Sequence, residues 1–471
     1  MMRPKKYSKD CANDLQNVRC LAKVVKNCNS HIADGRFSGF CIDSRTIKKS
    51  NVFIAIKGKR LDGHRYIGEA FKRGASVAIA EKNTGFPKKY KDRILLVDDT
   101  RYALRAIAGH HRARFRLPVI AVTGSCGKTT VKEILAFLLK DKFSVLKSVA
   151  SYNNQIGIPL TLLKIKPSHT ICVVELGTNT KGEINRLRQI CRPDTVILTN
   201  IAESHLAGFG SKAQVYKEKI SAIKKAGKNQ VCFINADDEY LRKIPAGIKK
   251  ITFGINTNAD YKAVNVTTGL NKTSFLLGKH KICSSLNGTH NVYNILAAVA
   301  CARNYGIKWD RIEDIIRKYR NPCRNRFNVR MSAGRVIIND AYNANPYSFT
   351  KSVETLTRLF PKKRKIVVAG DMLELGKKSD AYHKKLGMFI ANSGIDKLFT
   401  VGKKARFISE GAVQAGMPCY NAVHYRNKKK LTEKIFSDFH ENNVILFKGS
   451  HSTGLSQTCE KIEKRISRGN K

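Results

Sequence analysis

Acidic residues are scarce in this chain: 36 Asp and Glu stand against 87 Lys and Arg, a formal charge of +51. Such an excess suits a polyanionic partner or a phosphate-bearing substrate. The signatures of a nucleic-acid binder are missing. There is no zinc-finger spacing and no RRM motif, and the basic residues run along the whole length rather than gathering in one arm. The charge is therefore read as a basic bias on solvated faces, and a nucleic-acid partner is not expected. No stretch approaches the roughly 18 consecutive apolar residues of a membrane span. The basic N-terminus, MMRPKKYSKD, leads into no apolar signal core, and the first 30 residues match no motif. The 13 cysteines include no C-x-x-C pair and sit in apolar segments such as Val231-Cys232-Phe233 and Ala300-Cys301-Ala302. That spacing excludes a zinc module and a disulfide scaffold, and it predicts mostly buried thiols in a reducing, cytoplasmic compartment. No internal repeat or low-complexity segment is present.

What is present is a length of 471 residues, too long for one ordinary core. Short apolar strands alternate with helical patterns throughout. Strands are expected at 52–56, 75–80 and 95–97, with a helix over 101–114, then at 170–174, 195–198 and 230–234, and finally at 335–338, 365–369 and 444–447. The continuous β-branched runs are those of buried parallel strands. The chain therefore reads as three α/β units. Leu117-Pro118 marks one boundary and Asn321-Pro322 the other, which gives units of 1–116, 117–322 and 323–471.

The most informative stretch is VIAVTGSCGKTT at 119–130. A β-branched run ends in Gly124, Ser125, Cys126, Gly127, Lys128, Thr129 and Thr130, and a helical pattern follows at once. Glycines let backbone N–H groups turn toward an anion, and the helix N-terminus adds partial positive charge. Lys128 can reach outer phosphates, and the Thr129 hydroxyl can ligate Mg²⁺. The spacing is shorter than the ordinary P-loop, which wants a glycine where this chain has Val122. Polar residues then stand where later strands end, the usual ligand edge of an open parallel sheet. Glu175 follows ICVV and could hold a cation opposite Thr129, and His205 follows TVILTNI. Taken alone, each is as readily a helix cap or a satisfied polar group.

At this point the residues match a family. IDSRT (42–46), LDGH (61–64), TGSCGKTT (123–130), YNNQIGIPLTLL (152–163) and ELGTNTKGEI (175–184) are followed by TNIAESHLAGFGS (199–211) and NADD (235–238). THNVYNILAA (289–298), DAYNANPYS (340–348), AGDMLELG (369–376) and KGS (448–450) complete the series. In this order, over about 36–458, the chain resembles the Mur ligases, ATP-dependent amide ligases of peptidoglycan precursor synthesis. DAYNANP and GDMLELG make it most similar to the member that adds D-alanyl-D-alanine to UDP-N-acetylmuramoyl-tripeptide.

The resemblance implies a central P-loop-type, doubly wound, mostly parallel sheet, a Rossmann-like C-terminal domain and a smaller α/β N-terminal domain. It implies ATP and Mg²⁺, with Thr129, Glu175 and His205 holding metal and Lys128 contacting phosphate. A carbamylated lysine supports the second metal in the family. Lys219 aligns best with it, Lys217 is the alternative register, and an ordinary exposed lysine is the plain reading. Asn291 and Asn294 match the adenine side, though His290 and Asn291 could equally cap a helix. Arg326 and Asp340 match nucleotide contacts that domain closure brings in. Asn343 and Asn345 match the dipeptide side, or else only shape a turn. Ser44 and Arg45 match the uridine-diphosphate end, or a strand-end turn, and Asn153 and Asn154 the sugar–peptide junction. His451 stands where the family commonly has Arg. A monomer is expected. The remaining readings are a folate polyglutamate ligase or sister ligase, which DAYNANP opposes, and a nucleotide-dependent nucleic-acid binder, which leaves the ordered acidic and amide motifs unexplained.

Overall fold

The computed structural model describes residues 17–25, 34–58, 60–150, 152–223, 230–323, 325–332 and 334–468. Most of the motif-free N-terminal stretch lies outside them. Three sheets carry the chain. The first joins Gly39–Cys41, Asn51–Ile54, Val77–Glu81 and Ile94–Val97 in that order, all parallel. Parallel strands need crossover helices, and the helix Thr100–Ala113 follows the last of them, its N-terminus capped by Asp99.

The nine-stranded central sheet turns around the strand Val119–Thr123, which lies between Thr195–Leu198 and Ile171–Glu175. The order reverses at this strand, so its C-terminal end opens a crevice. Val145–Lys147 forms one edge. On the other side Val231–Asn235, Lys250–Gly254 and Tyr261–Gly269 continue in parallel, and Lys272–Leu277 and His280–Ser284 add an antiparallel meander. The four central strands Val119–Thr123, Ile171–Glu175, Thr195–Leu198 and Val231–Asn235 are fully buried, as their apolar runs require.

The third sheet has six strands in the order Asn328–Ser332, Arg335–Asn339, Asn443–Lys448, Arg364–Gly370, Lys397–Val401, Ala422–Tyr425. Only the first is antiparallel to its neighbour. One apolar cluster runs from Val119, Cys172 and Leu198 of the central sheet to Phe327, Ile338, Val367 and Leu446 of the third, so these two units share a core. The first unit docks through a separate cluster, where Leu104 and Ile107 meet Ile156 and Leu160. Buried Arg112 fastens the connection. It donates from Nε to the Cys191 carbonyl at 3.0 Å, from Nη1 to Phe115 O at 2.6 Å and from Nη2 to Leu117 O at 3.1 Å. Removing Arg112 would leave these carbonyls of the 115–117 connection without their donors.

The expected strands all form, with ends moved by a residue or two. The strands Gly39–Cys41, Val145–Lys147, Lys250–Gly254, Tyr261–Gly269 and Asn328–Ser332, the meander, and the pair Lys397–Val401 and Ala422–Tyr425 were not among the expected strands. The thiols depart from expectation. All described cysteines are free, but only Cys172, Cys191, Cys232, Cys301 and Cys459 are buried, while Cys419 is exposed and five others, Cys126 among them, are half-buried. Among the described residues no helix is long and apolar enough to cross a membrane.

Candidate active site

The cradle is built as its residue types require. Gly124 (φ +148°) passes so close to Thr199 that a Cβ would sit 1.9 Å from its Oγ1, and at Gly127 (φ +82°) a Cβ would meet Asn294 Oδ1 at 2.2 Å. Glycine is thus demanded twice, by backbone conformation and by close approach. The helix Lys128–Leu139 starts immediately after the turn. Asn200 supports the loop by accepting from Ser125 N at 2.8 Å with its carbonyl and from Cys126 N at 2.9 Å with Oδ1. Lys128 lies folded over the loop, its Nζ donating to Gly124 O at 2.9 Å and Ser125 O at 3.3 Å.

Beside the cradle the carboxylate expected from the sequence is in place. Thr129 Oγ1 donates to Glu175 Oε2 at 2.7 Å, and Asn153 Nδ2 donates to Oε1 at 2.8 Å. Arg326, from the third unit, donates from Nη2 to Thr129 Oγ1 at 3.0 Å, while its guanidinium lies 4.0 Å from the Tyr342 ring centroid. Residues 129, 175 and 326 are thus brought to one point from a helix start, a strand end and a loop far apart in sequence. The hydroxyl and carboxylate oxygens are hard donors, which is the ligand chemistry Mg²⁺ prefers, with phosphates and waters completing the shell. Among the described residues no group of three or more His, Cys, Asp or Glu is assembled as a metal site.

A cavity of about 430 Å³ opens here between the central and third units. Ser125–Thr130, Asn153, Asn154, Glu175 and His205 line it from one side, and Arg326, Asp340, Asn343 and Asn345 from the other. Asn291 and Asn294 line it as well, joined by Asn294 Nδ2 donating to Asn291 Oδ1 at 2.9 Å. Asn291 also donates from Nδ2 to Asn287 O at 2.8 Å, a bond within its own turn rather than a cap. The Asp340 carboxylate accepts from Phe327 N at 3.0 Å, Ser352 Oγ at 2.6 Å and Lys448 Nζ at 2.6 Å. That pairing fixes Lys448 in the cavity wall. His205, with left-handed backbone (φ 54°), places Nδ1 2.5 Å from Glu374 Oε2.

Lys219 is the least ordinary group. It is 1% exposed on the helix Lys212–Ile220, and its Nζ makes no hydrogen bond among the described residues. Lys132, equally buried, shows what a structural lysine does: its Nζ donates to Ser148 O at 2.8 Å and Ala150 O at 3.1 Å and pairs with Glu133. Burial, and next the charge of Lys128, hold the Lys219 amine well below the usual lysine range, with Cys126, Glu218 and Glu175 opposing. Lys217, the other register, is exposed. The reading of Lys219 as an exposed helix lysine is overturned by its burial. Lys219 does not itself line the cavity.

Other expected residues also have local structural roles. Ser44 and Arg45 lie outside the cavity. Ser44 Oγ donates to Glu69 Oε2 at 3.1 Å, and Arg45 grips Asp43 with two bonds of 2.9 and 2.7 Å. Their local role is the strand-end turn, with Asp43 as its cap. Gly124 shapes the loop without lining the cavity. Asn154 and Asn345 line the cavity and also hold backbone at the start of a helix. Asn154 Oδ1 accepts from Gly157 N at 2.9 Å, and Asn345 forms a capping box with Ser348 at the head of the helix Pro346–Leu359. The residues that sequence reasoning missed are Lys448 and Glu374. Both lay inside quoted motifs, KGS and AGDMLELG, and only folding shows what they touch.

Fold and site together define a nucleotide-dependent ligase of three α/β units, with a phosphate cradle in the second and its closing wall in the third. The chain matches the Mur ligase family, catalytic domain, over residues 36–112, the Mur ligase middle domain over 122–302, and the Mur ligase, glutamate ligase domain, over 325–451. It is 31% identical to the UDP-N-acetylmuramoyl-tripeptide--D-alanyl-D-alanine ligase of Bacillus subtilis (strain 168), covering 95% of this chain and 98% of that protein. The enzyme of the same name from Escherichia coli (strain K12) is 32% identical over 92% of this chain and 95% of its own. Among solved structures, the MurF ligase of Thermotoga maritima in complex with ADP superposes with a TM-score of 0.81 at 30% identity, covering 91% of this chain and 98% of that one. MurF from Acinetobacter baumannii gives 0.84 at 25% identity, over 98% and 100%. The chain belongs to the Mur ligase family.

Proposed function

We propose that this chain, acting as a cytoplasmic monomer, joins D-alanyl-D-alanine to UDP-N-acetylmuramoyl-tripeptide, converting ATP to ADP and phosphate. One observation carries the reading: Thr129, Glu175 and Arg326 meet within 3.0 Å contacts across two units, at the mouth of one phosphate cradle. The names of the relatives supply the substrates.

The γ-phosphoryl of ATP passes to the terminal carboxylate of the tripeptide. Its bond to the bridging oxygen breaks, ADP leaves, and an acyl phosphate forms. The amine of D-alanyl-D-alanine attacks that carbonyl, phosphate departs, and the amide remains. Such transfer asks for positioning and charge neutralisation more than for covalent help. The cradle N–H groups and the helix end bind the phosphates. Lys128 is placed to swing from its own carbonyls to an outer phosphate, and Arg326 brings a second positive group from the third unit. Mg²⁺ held by Thr129 and Glu175, with a second ion toward His205 and a carbamylated Lys219, would supply charge neutralisation. A lysine kept neutral by burial is the form that adds carbon dioxide, losing one proton and gaining a carboxylate. Asn291, Asn294 and Asp340 face the nucleoside, Asn343 and Asn345 the dipeptide, and Asn153 and Asn154 the sugar–peptide junction. Ser44 and Arg45 take the uridine-diphosphate end on the first unit. The units are bounded at 116 and 322.

The test is phosphate release from ATP with UDP-N-acetylmuramoyl-tripeptide, with and without D-alanyl-D-alanine, beside Lys128→Ala. Release should require both substrates and vanish in the variant. Release indifferent to the dipeptide would sink the assignment.

A further inference from the structure

The loop that follows strand Arg364–Gly370 reaches across to the central unit and touches it through Glu374 and Gly376. Glu374 Oε2 lies 2.5 Å from His205 Nδ1, and the Glu374 carbonyl accepts from Ala207 N at 2.8 Å. Gly376, at φ +67°, presses against Ala207 so closely that a Cβ would stand 3.2 Å from its Cα. Both residues of the polar contact adopt left-handed backbone, φ 54° at His205 and φ 68° at Glu374, a conformation non-glycine side chains avoid. Such outliers persist only where surrounding structure enforces them, and they gather at functional points. Here what enforces them is the contact of one unit with the other.

The chemistry of the contact is specific. His205 Nδ1 is shut away from solvent. The carboxylate approaches it closely without hydrogen-bond alignment, and Nδ1 has no other partner among the described residues. An imidazole whose Nδ1 faces a carboxylate carries its proton there and leaves Nε2 as the lone-pair nitrogen. His205 lines the same cavity as Thr129 and Glu175, and so does Glu374. Of the residues expected to hold a cation, His205 is the one the Glu374 carboxylate meets.

We propose that Glu374 is a positioning residue for His205. Delivered by the third unit, its carboxylate fixes the tautomer and ring orientation of His205, so that a divalent cation at the cradle is bound tightly only when the third unit is seated. This rests on the assignment of His205 to the cation side of the site. Cation affinity thereby becomes a reporter of docking between the units, separate from the contact of Arg326 with Thr129.

The experiment compares Glu374→Gln and Glu374→Ala with the wild type by titrating Mn²⁺ into enzyme plus ADP, reading free Mn²⁺ by electron paramagnetic resonance. ADP affinity without metal and the melting temperature of the ligand-free protein are measured alongside. Loss of such an outer carboxylate should weaken Mn²⁺ about 10-fold in both variants. Metal-free ADP binding and melting should stay at wild-type values, and the Mg²⁺ needed for half-maximal turnover should rise in step, with little change in the KM for the dipeptide. Unchanged Mn²⁺ affinity in both variants would overturn the proposal. So would a weakening accompanied by a lower melting temperature, which would make Glu374 a fold residue. Wild-type turnover that does not depend on the dipeptide would instead refute the proposed reaction while leaving the Mn²⁺ comparison interpretable.

Discussion

Glu175→Gln is the sharpest probe of the site because it changes one atom and the structure fixes its surroundings. The carboxylate accepts on both oxygens, from Thr129 Oγ1 at 2.7 Å and from Asn153 Nδ2 at 2.8 Å, and it is 2% exposed. A glutamine offers one acceptor and one donor. If its oxygen faces Asn153, its NH₂ meets Thr129, whose hydroxyl already accepts from Arg326 Nη2 at 3.0 Å and would lose the partner for its own proton. If the amide flips, two NH₂ groups confront each other. Either way one buried donor is orphaned, at about 1–3 kcal/mol. The charge that would hold a cation at the transferring phosphate is lost as well, an electrostatic contribution of about 3 kcal/mol in comparable sites. At 1.36 kcal/mol per decade, the second figure alone predicts a fall in kcat of about 100-fold. Metal-free ADP binding should be nearly unaffected, because the cradle N–H groups are untouched. The assay is steady-state phosphate release, with nucleotide affinity measured by calorimetry. A variant that keeps kcat within about threefold of wild type would refute the placing of Glu175 beside the reacting phosphate.

Other outcomes follow from the same contacts. Lys219→Ala should lower kcat about 100-fold, with partial rescue by added acetate, whereas Lys217→Ala should leave it within about twofold, as exposed positions usually do. The reverse pattern would move the register by two residues. Asn345→Ala removes the side-chain half of a capping box and should cost about 1 kcal/mol, seen as earlier melting in scanning calorimetry; unchanged melting would deny the cap. Burial, with a lesser push from Lys448 and Lys351, brings the His290 imidazole down to about 4, and its Nδ1 is closed off without a partner. In the unfolded chain a histidine titrates near 6.5, so between about pH 6.5 and 4 the unfolded state binds a proton that the folded state refuses. The wild type should therefore lose about 2 kcal/mol of stability between pH 7.5 and pH 5 through this residue. His290→Gln should show a flatter melting temperature over that range, and equal slopes would contradict the burial.

How much of this could be read in the chain depended on whether each residue's role is local. The strand Val119–Thr123 and the turn after it are legible because a buried parallel strand needs an unbroken apolar run and the cradle needs glycines and a helix start, all within a dozen residues. Glu175 is legible for the same reason, being the first polar residue after such a run. The meander is not. Tyr261–Gly269 buries only Ala263 along its length, and its Lys, Asn and Thr residues read as loop because this strand keeps most of its side chains wet. Lys219 could not be told from Lys217 by pattern, since both sit on a helix with little amphipathic contrast and only tertiary packing closes over one of them. Lys448 and Glu374 show the remaining limit. Each touches its partner across more than a hundred residues of chain, Lys448 to Asp340 at 2.6 Å and Glu374 to His205 at 2.5 Å. No periodicity or spacing within one segment carries that information. In a ligase whose site is closed by a separate unit, the residues that couple closure to chemistry are therefore the ones a single sequence hides best.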